Sequence, residues 1–168
     1  MRTIDWSEVR DAVVGARVAL RLEQQPSYAQ TPEEREHFEA FLHGDRRAPT
    51  TVPNLARWYE TVAGRPVGCR MERVRIHQDP PTDYQRWVRW IGEWNDRAGD
   101  VMHYTTPRQA SAAGLDDAGP DDWWLLDDEL LIRLTFDVPD VATLSASDDP
   151  GDIDRAHQWW RLALDAAT

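Results

Sequence analysis

Arg73, Arg75 and His77 occupy alternate positions in GCRMERVRIHQ, residues 68–78. Alternation at that period places all three side chains on one face of a strand, with Val74 and Ile76 on the other. Two guanidiniums and an imidazole in a row can hold a phosphate or a carboxylate through charge-assisted hydrogen bonds. The strand runs into DPPTDY, a turn that opens a helix. The end of a strand beside a helix N-terminus is where ligands sit in open α/β sheets. With Tyr84 from the first turn of that helix, Arg73, Arg75 and His77 make the candidate anion site. The plainer reading is an exposed strand face paired to neighbouring acids. The sequence contains no lysine, so arginine is the only strong base and its recurrence is a weak signal.

A second constellation is acidic. Asp127, Asp128 and Glu129 lie between the apolar runs Trp123–Leu126 and Leu130–Phe136. Acid–base or metal chemistry needs carboxylates that converge from different elements. Three consecutive acids on one turn mostly point apart, so a solvated hairpin tip is the stronger reading. Asp121 and Asp122 are read as turn residues ahead of the strand. An enzymatic alternative remains, a hydrolase or phosphodiesterase with His77 as nucleophile or base and Asp79 or Asp128 as its acid partner. The absence of lysine removes Schiff-base, Walker-type and Ser–Lys chemistry. The five histidines form no metal-binding spacing, Cys69 is the single cysteine, and neither a metal nor a cofactor is expected.

The elements that must position these groups alternate. Residues 5–16 read as a helix with Trp6, Val9, Val13 and Ala16 on one face, and residues 17–24 as a half-buried strand whose polar side includes Arg21 and Glu23. Thr31, Pro32 and Glu34 open a helix with a capping box, with Phe38, Phe41 and Leu42 as its apolar face and Gly44 at its end. A further helix carries Leu55, Trp58, Tyr59 and Val62. A long one, capped by Thr82 or Asp83, carries Tyr84, Trp87, Val88, Ile91, Trp94 and Ala98. Residues 101–106 form a short strand, followed by one helical segment. Then comes the hairpin, an edge strand at 141–147 and an amphipathic C-terminal helix. The expected fold is a single α/β domain over 1–168, a mixed sheet with helices on its faces.

Composition narrows the function. The chain has 168 residues, with 30 acids against 19 arginines and a formal charge of −11. An acidic surface repels phosphate backbones and steers in a basic partner, so direct nucleic-acid binding is not expected. No apolar stretch is long enough to span a membrane and no secretory leader is visible, so a cytoplasmic location is expected. Nine tryptophans are more than one core stripe uses. Trp90 and Trp159 fall off their helix stripes. Trp123 and Trp124 are adjacent in a strand and face opposite sides. Trp90, Trp123 and Trp124 are the candidate interface residues; a sheet covered on both faces would explain the last two equally well.

Three segments carry a resemblance: RLEQQPSYAQTPEEREHFEAFLHGD, RVRIHQDPPTDYQRW and DDWWLLDDELLIRLTFD, followed by RAHQWWRLALDAA. Together they resemble a family of uncharacterised actinobacterial proteins of the Streptomyces type, encoded beside helix-turn-helix regulators. That resemblance implies a regulatory partnership. More distantly, the order of strand, long helix, short strand, acidic hairpin and terminal helix looks like one half of a phospholipase D-like fold. The catalytic pattern there is His-x-Lys followed by an acid. Here His77 is followed by Asp79 and lysine is absent, which implies a degenerate domain. The resulting expectation is a non-enzymatic binding or regulatory protein. It would partner a helix-turn-helix regulator or sense a small anion, and the tryptophan faces admit a homodimer.

Overall fold

The computed structural model describes residues 1–168. Five of its six helices start where a side-chain oxygen takes up free backbone N–H groups. Asp5 with Glu8 caps α1 (Trp6–Gly15), and Thr31 with Glu34 caps α2 (Pro32–Leu42). Helix α3 (Pro53–Ala63) begins on a proline. Thr82 with Gln85 caps α4 (Asp83–Ala98), and Thr106 with Gln109 caps α5 (Pro107–Ala112). Asp149 caps α6 (Pro150–Ala167). The expected box at Thr31 is present, and Thr82 is the cap of α4.

The strands are β1 (Arg2–Thr3), β2 (Val18–Glu23), β3 (Arg70–Ile76), β4 (Asp100–Thr105), β5 (Asp122–Leu126), β6 (Leu130–Val138) and β7 (Val141–Ser147). They form one mixed sheet in the order β1-β7-β6-β5-β2-β3-β4. β2, β3 and β4 run parallel, and β5 joins β2 antiparallel. The α/β expectation holds: a mixed sheet with helices on both faces.

One face carries Leu20, Leu22, Val74, Trp123 and Leu125 against Ala156, Trp160 and Ala163 of α6. The other carries Ala19, Met71, Trp124, Leu126 and Ile132 against Val9 and Val13 of α1 and Val62 of α3. Trp123 and Trp124 thus point to opposite layers and are 1% and 3% exposed. Their apolar contacts are made inside the chain, and neither indole is free for the interface expected of it. Trp159, off its helix stripe, lies 6.3 Å from Trp123 between ring centroids. Trp90 is half-buried, stacked on His37 and Phe41.

Other expectations need correction. β2 is buried on both faces, because α1, α3 and α4 cover the side assigned to solvent. β7 is not an edge, because Arg2 and Thr3 pair outside it. Asp122 is no turn residue; it is a fully buried strand position. Leu42 and Trp6 sit on helix faces but are exposed, Trp6 to 57%. The acidic tip is a turn, as expected. Asp127 and Asp128 both adopt left-handed backbone (φ 52° and 60°), and Glu129 N donates to the Leu126 carbonyl. Two left-handed central residues give the twist that a hairpin needs, and aspartate tolerates that region. Asp127 also accepts a 2.7 Å hydrogen bond from Val18 N, fastening the turn to β2.

The fold therefore separates its tryptophans by cost. Trp123→Ala should lower the unfolding free energy by about 3–5 kcal/mol, the cost of a large cavity in a filled core. Trp6→Ala should change it by less than about 0.5 kcal/mol. Urea titration of both variants measures the contrast.

Candidate functional site

Because β2, β3 and β5 are in register, their side chains on the α1–α3–α4 face form rows. Trp124, Arg21, Arg73 and Met102 are neighbours across four strands. Arg75 and Tyr104 share the next row with Glu23, beside Asp122. Period-two alternation accounts for each strand's polar positions. Parallel pairing brings Arg21 beside Arg73 and Glu23 beside Arg75.

Glu23 is the shared counter-ion, hydrogen-bonded to Arg73 and Arg75 and ion-paired with Arg21. Its Oε1 lies 2.8 Å from Arg21 Nε and accepts from Arg73 Nη1 at 2.8 Å; Oε2 accepts from Arg75 Nε at 2.5 Å. Arg73 Nε donates to Asp100 Oδ2 at 2.8 Å, and Asn95 donates to the same oxygen. Asp122 accepts from Tyr28 Oη at 2.5 Å and from Gln24 N, with Arg21 Nη2 3.6 Å away. Three arginines thus meet three carboxylates, all with side chains at most 12% exposed.

The electrostatics follow from this wiring. Burial alone would raise the Glu23 pKa, but the guanidiniums of Arg75, Arg21 and Arg73 hold it well below the usual carboxylate range. Burial lifts Asp122 to about 6, opposed by Arg21 and the Tyr28 hydrogen bond. Burial, then the Asp122 and Glu23 charges, push Tyr28 well above its ordinary value. His77 is lowered to about 4 by burial and by Arg75 and Arg89, so it is neutral near pH 7.

Above the charged rows lies a cavity of about 520 Å³. Its floor is Arg21, Arg73, Arg75 and Trp124; its walls are Trp6, Val9 and Arg10 of α1, Leu55 and Trp58 of α3, and Ile91 of α4. No acidic side chain is among its lining residues, because Glu23, Asp100 and Asp122 stand behind the arginines. The Arg73 guanidinium sits 5.3 Å from the Trp58 ring centre and 5.1 Å from that of Trp124. Arg73 Nη2 and the Arg21 guanidinium, its Nε included, make no hydrogen bond in the chain. An apolar-walled chamber of this size with a few convergent donors is what a small organic anion requires.

The four residues of the expected anion site do not share one chamber. Arg73 and Arg75 line the large cavity. His77 and Tyr84 line a separate space of about 40 Å³, with Arg75 common to both. His77 Nδ1 and Gln85 Nε2 are buried there without a partner, and the space is large enough for one bound water. The acids paired with His77 in the enzymatic alternative lie elsewhere. Asp79 is exposed on the turn, and Asp128 is at the hairpin tip, 3.2 Å from His157. The carboxylate that does share the small chamber with His77 is Glu23. Glu23, Arg21, Asp122, Trp58 and Asn95 lie outside the site expected from sequence. The one local signal was the polar parity of β2, which reads equally well as a solvent face.

A family model described as "Domain of unknown function (DUF6879)" matches residues 7–168. No curated protein and no solved structure matches the chain.

Two expectations test this geometry. Glu23→Gln removes the charge shared by three buried guanidiniums and should destabilise the fold by about 3–5 kcal/mol, read by urea unfolding. Asp122 and His77 should act with opposite signs on stability. The His77 contribution is full above pH 6.5 and is lost as pH falls through about 4. The Asp122 contribution is full below pH 3.8 and is lost as pH rises through about 6. Between those limits, His77→Phe should flatten the rise of stability with pH, and Asp122→Asn should steepen it. Unfolding curves of the three proteins across the window measure the slopes.

Proposed function

The chain belongs to the DUF6879 family, and we propose that in this member the cavity over Trp124 binds a small organic anion, as a binding protein without chemistry of its own. The observation that carries this reading is the pairing of an apolar wall with a floor of three arginines, two of which hold terminal nitrogens without acceptors. Arginines already fixed by Glu23 and Asp100 lose little side-chain freedom when an anion arrives, which favours binding. His77, the histidine at this end of the sheet, faces the smaller chamber and makes no hydrogen bond to an acid.

The hydrolase reading would now rest on His77 with Glu23 in place of Asp79 or Asp128, and a base of pKa about 4 is poorly matched to neutral pH. The phospholipase D-like likeness draws support from the late hairpin with its acidic turn and the closing helix, all present in the expected order. A partnership with an actinobacterial helix-turn-helix regulator is the output suggested for such a sensor. The formal charge of −11 favours a basic partner surface.

Thermal shift with benzoate and phenyl phosphate, against benzyl alcohol as the neutral control, tests the anion site. The anions should raise Tm and the alcohol should not. Leu55→Trp, which fills the chamber from its wall, should abolish the rise. A Tm indifferent to every anion, or an equal rise in Leu55→Trp, overturns the assignment.

A further inference from the structure

The large cavity is not closed toward β6 and β7. Trp6 and Arg21 line it and also line an adjoining annex of about 280 Å³. The annex is bounded by Tyr28 and Ala29 of the β2–α2 loop, by Leu134 and Phe136 of β6, and by Val141 and Ala142 of β7. Apart from Arg21, its one charged residue is Asp140, on the turn between β6 and β7. The indole of Trp6 stands where the two chambers meet and is 57% exposed; Val141, on the annex wall, is 61% exposed. Large apolar side chains gathered at one opening mark a place where something apolar is received.

A second space, which shares Arg10, Asn54 and Trp58 with the cavity, differs in chemistry. Between α1 and α3 it is lined by Arg10, Asp11, Arg57 and Glu60, charges of both signs. An apolar group leaving the central chamber is therefore accepted on the Trp6 side and refused on the other. Asp140 at the annex repels a second negative charge, so the end reaching it is uncharged.

We infer that the ligand is an amphiphilic anion, with a carboxylate or phosphate head on Arg21 and Arg73 and an unbranched apolar chain that passes beneath Trp6 into the annex. This rests on the anion-binding reading above and adds the shape and polarity of what is bound.

Isothermal titration of the full chain with straight-chain carboxylates from butanoate to decanoate, below their micelle concentrations, tests it. Matching alkyl phosphates decide between the two heads. Affinity should rise roughly fourfold per methylene, the worth of a buried CH₂ group, and level off once the annex is filled. Trp6→Ala, an exposed position that the fold does not depend on, should flatten the rise. Ala142→Trp should make it level off at a shorter chain. If anions bind but chain length has no effect, the annex assignment fails and the anion site stands. If the rise is the same in Trp6→Ala and Ala142→Trp, the chain lies elsewhere and the inference fails. If no anion of any length binds, the anion reading itself fails.

Discussion

Glu23 sits in the middle of the sheet with guanidinium nitrogens of Arg21 and Arg73 on one of its oxygens and of Arg75 on the other. Each of these charges is removed from water by the helices packed above. A buried arginine without an acceptor, or a buried carboxylate without a donor, costs several kcal/mol, so none of the four can be placed independently. The arrangement couples β2 to β3, and through Asp100 and Asn95 it reaches β4 and α4. Through Asp122 and Tyr28 it reaches β5 and the loop before α2. The register of the central strands and the seating of the helices thus share one electrostatic condition.

A buried network of this kind is poor evidence for stability, because apolar residues of similar volume would serve as well or better. Its value lies in direction. Glu23 and Asp100 hold the Arg73 guanidinium over the rings of Trp58 and Trp124, 5.3 Å and 5.1 Å from their centres. The acids stand behind and the unspent donors stand in front. The same side chains neutralise the interior and leave the cavity floor positive. A protein with a formal charge of −11 can in this way present a cationic chamber without a cationic surface.

Much of the fold was legible. Thr31 with Glu34 and Thr82 with Gln85 are local hydrogen-bonding devices, and they cap helices wherever they occur before an apolar stripe. The hairpin with its tip at Asp127–Asp128 is equally local, as is the opposite facing of Trp123 and Trp124. The site was half legible. Arg73 and Arg75 were found because alternation puts them on one face. Arg21 and Glu23 carry the same alternation on β2, but a polar face next to an apolar one looks the same whether water or a helix covers it.

Sequence alone determined the parity of β2, β3, β5 and β6, the starts of α2 and α4, the mixed α/β class and the absence of lysine chemistry, because these depend on neighbours within a few residues. Tertiary structure alone decided that β2 lies at the centre, that Asp122 is interior, and that Arg21, Arg73 and Arg75 converge on Glu23 beneath a cavity. Those facts depend on strand order and on which helix lands on which face. Contacts between residues far apart in the chain, such as Gln24 with Asp122 or Arg2 with Ala146, are set by the balance of burial and charge over the whole chain. No window of sequence contains that balance.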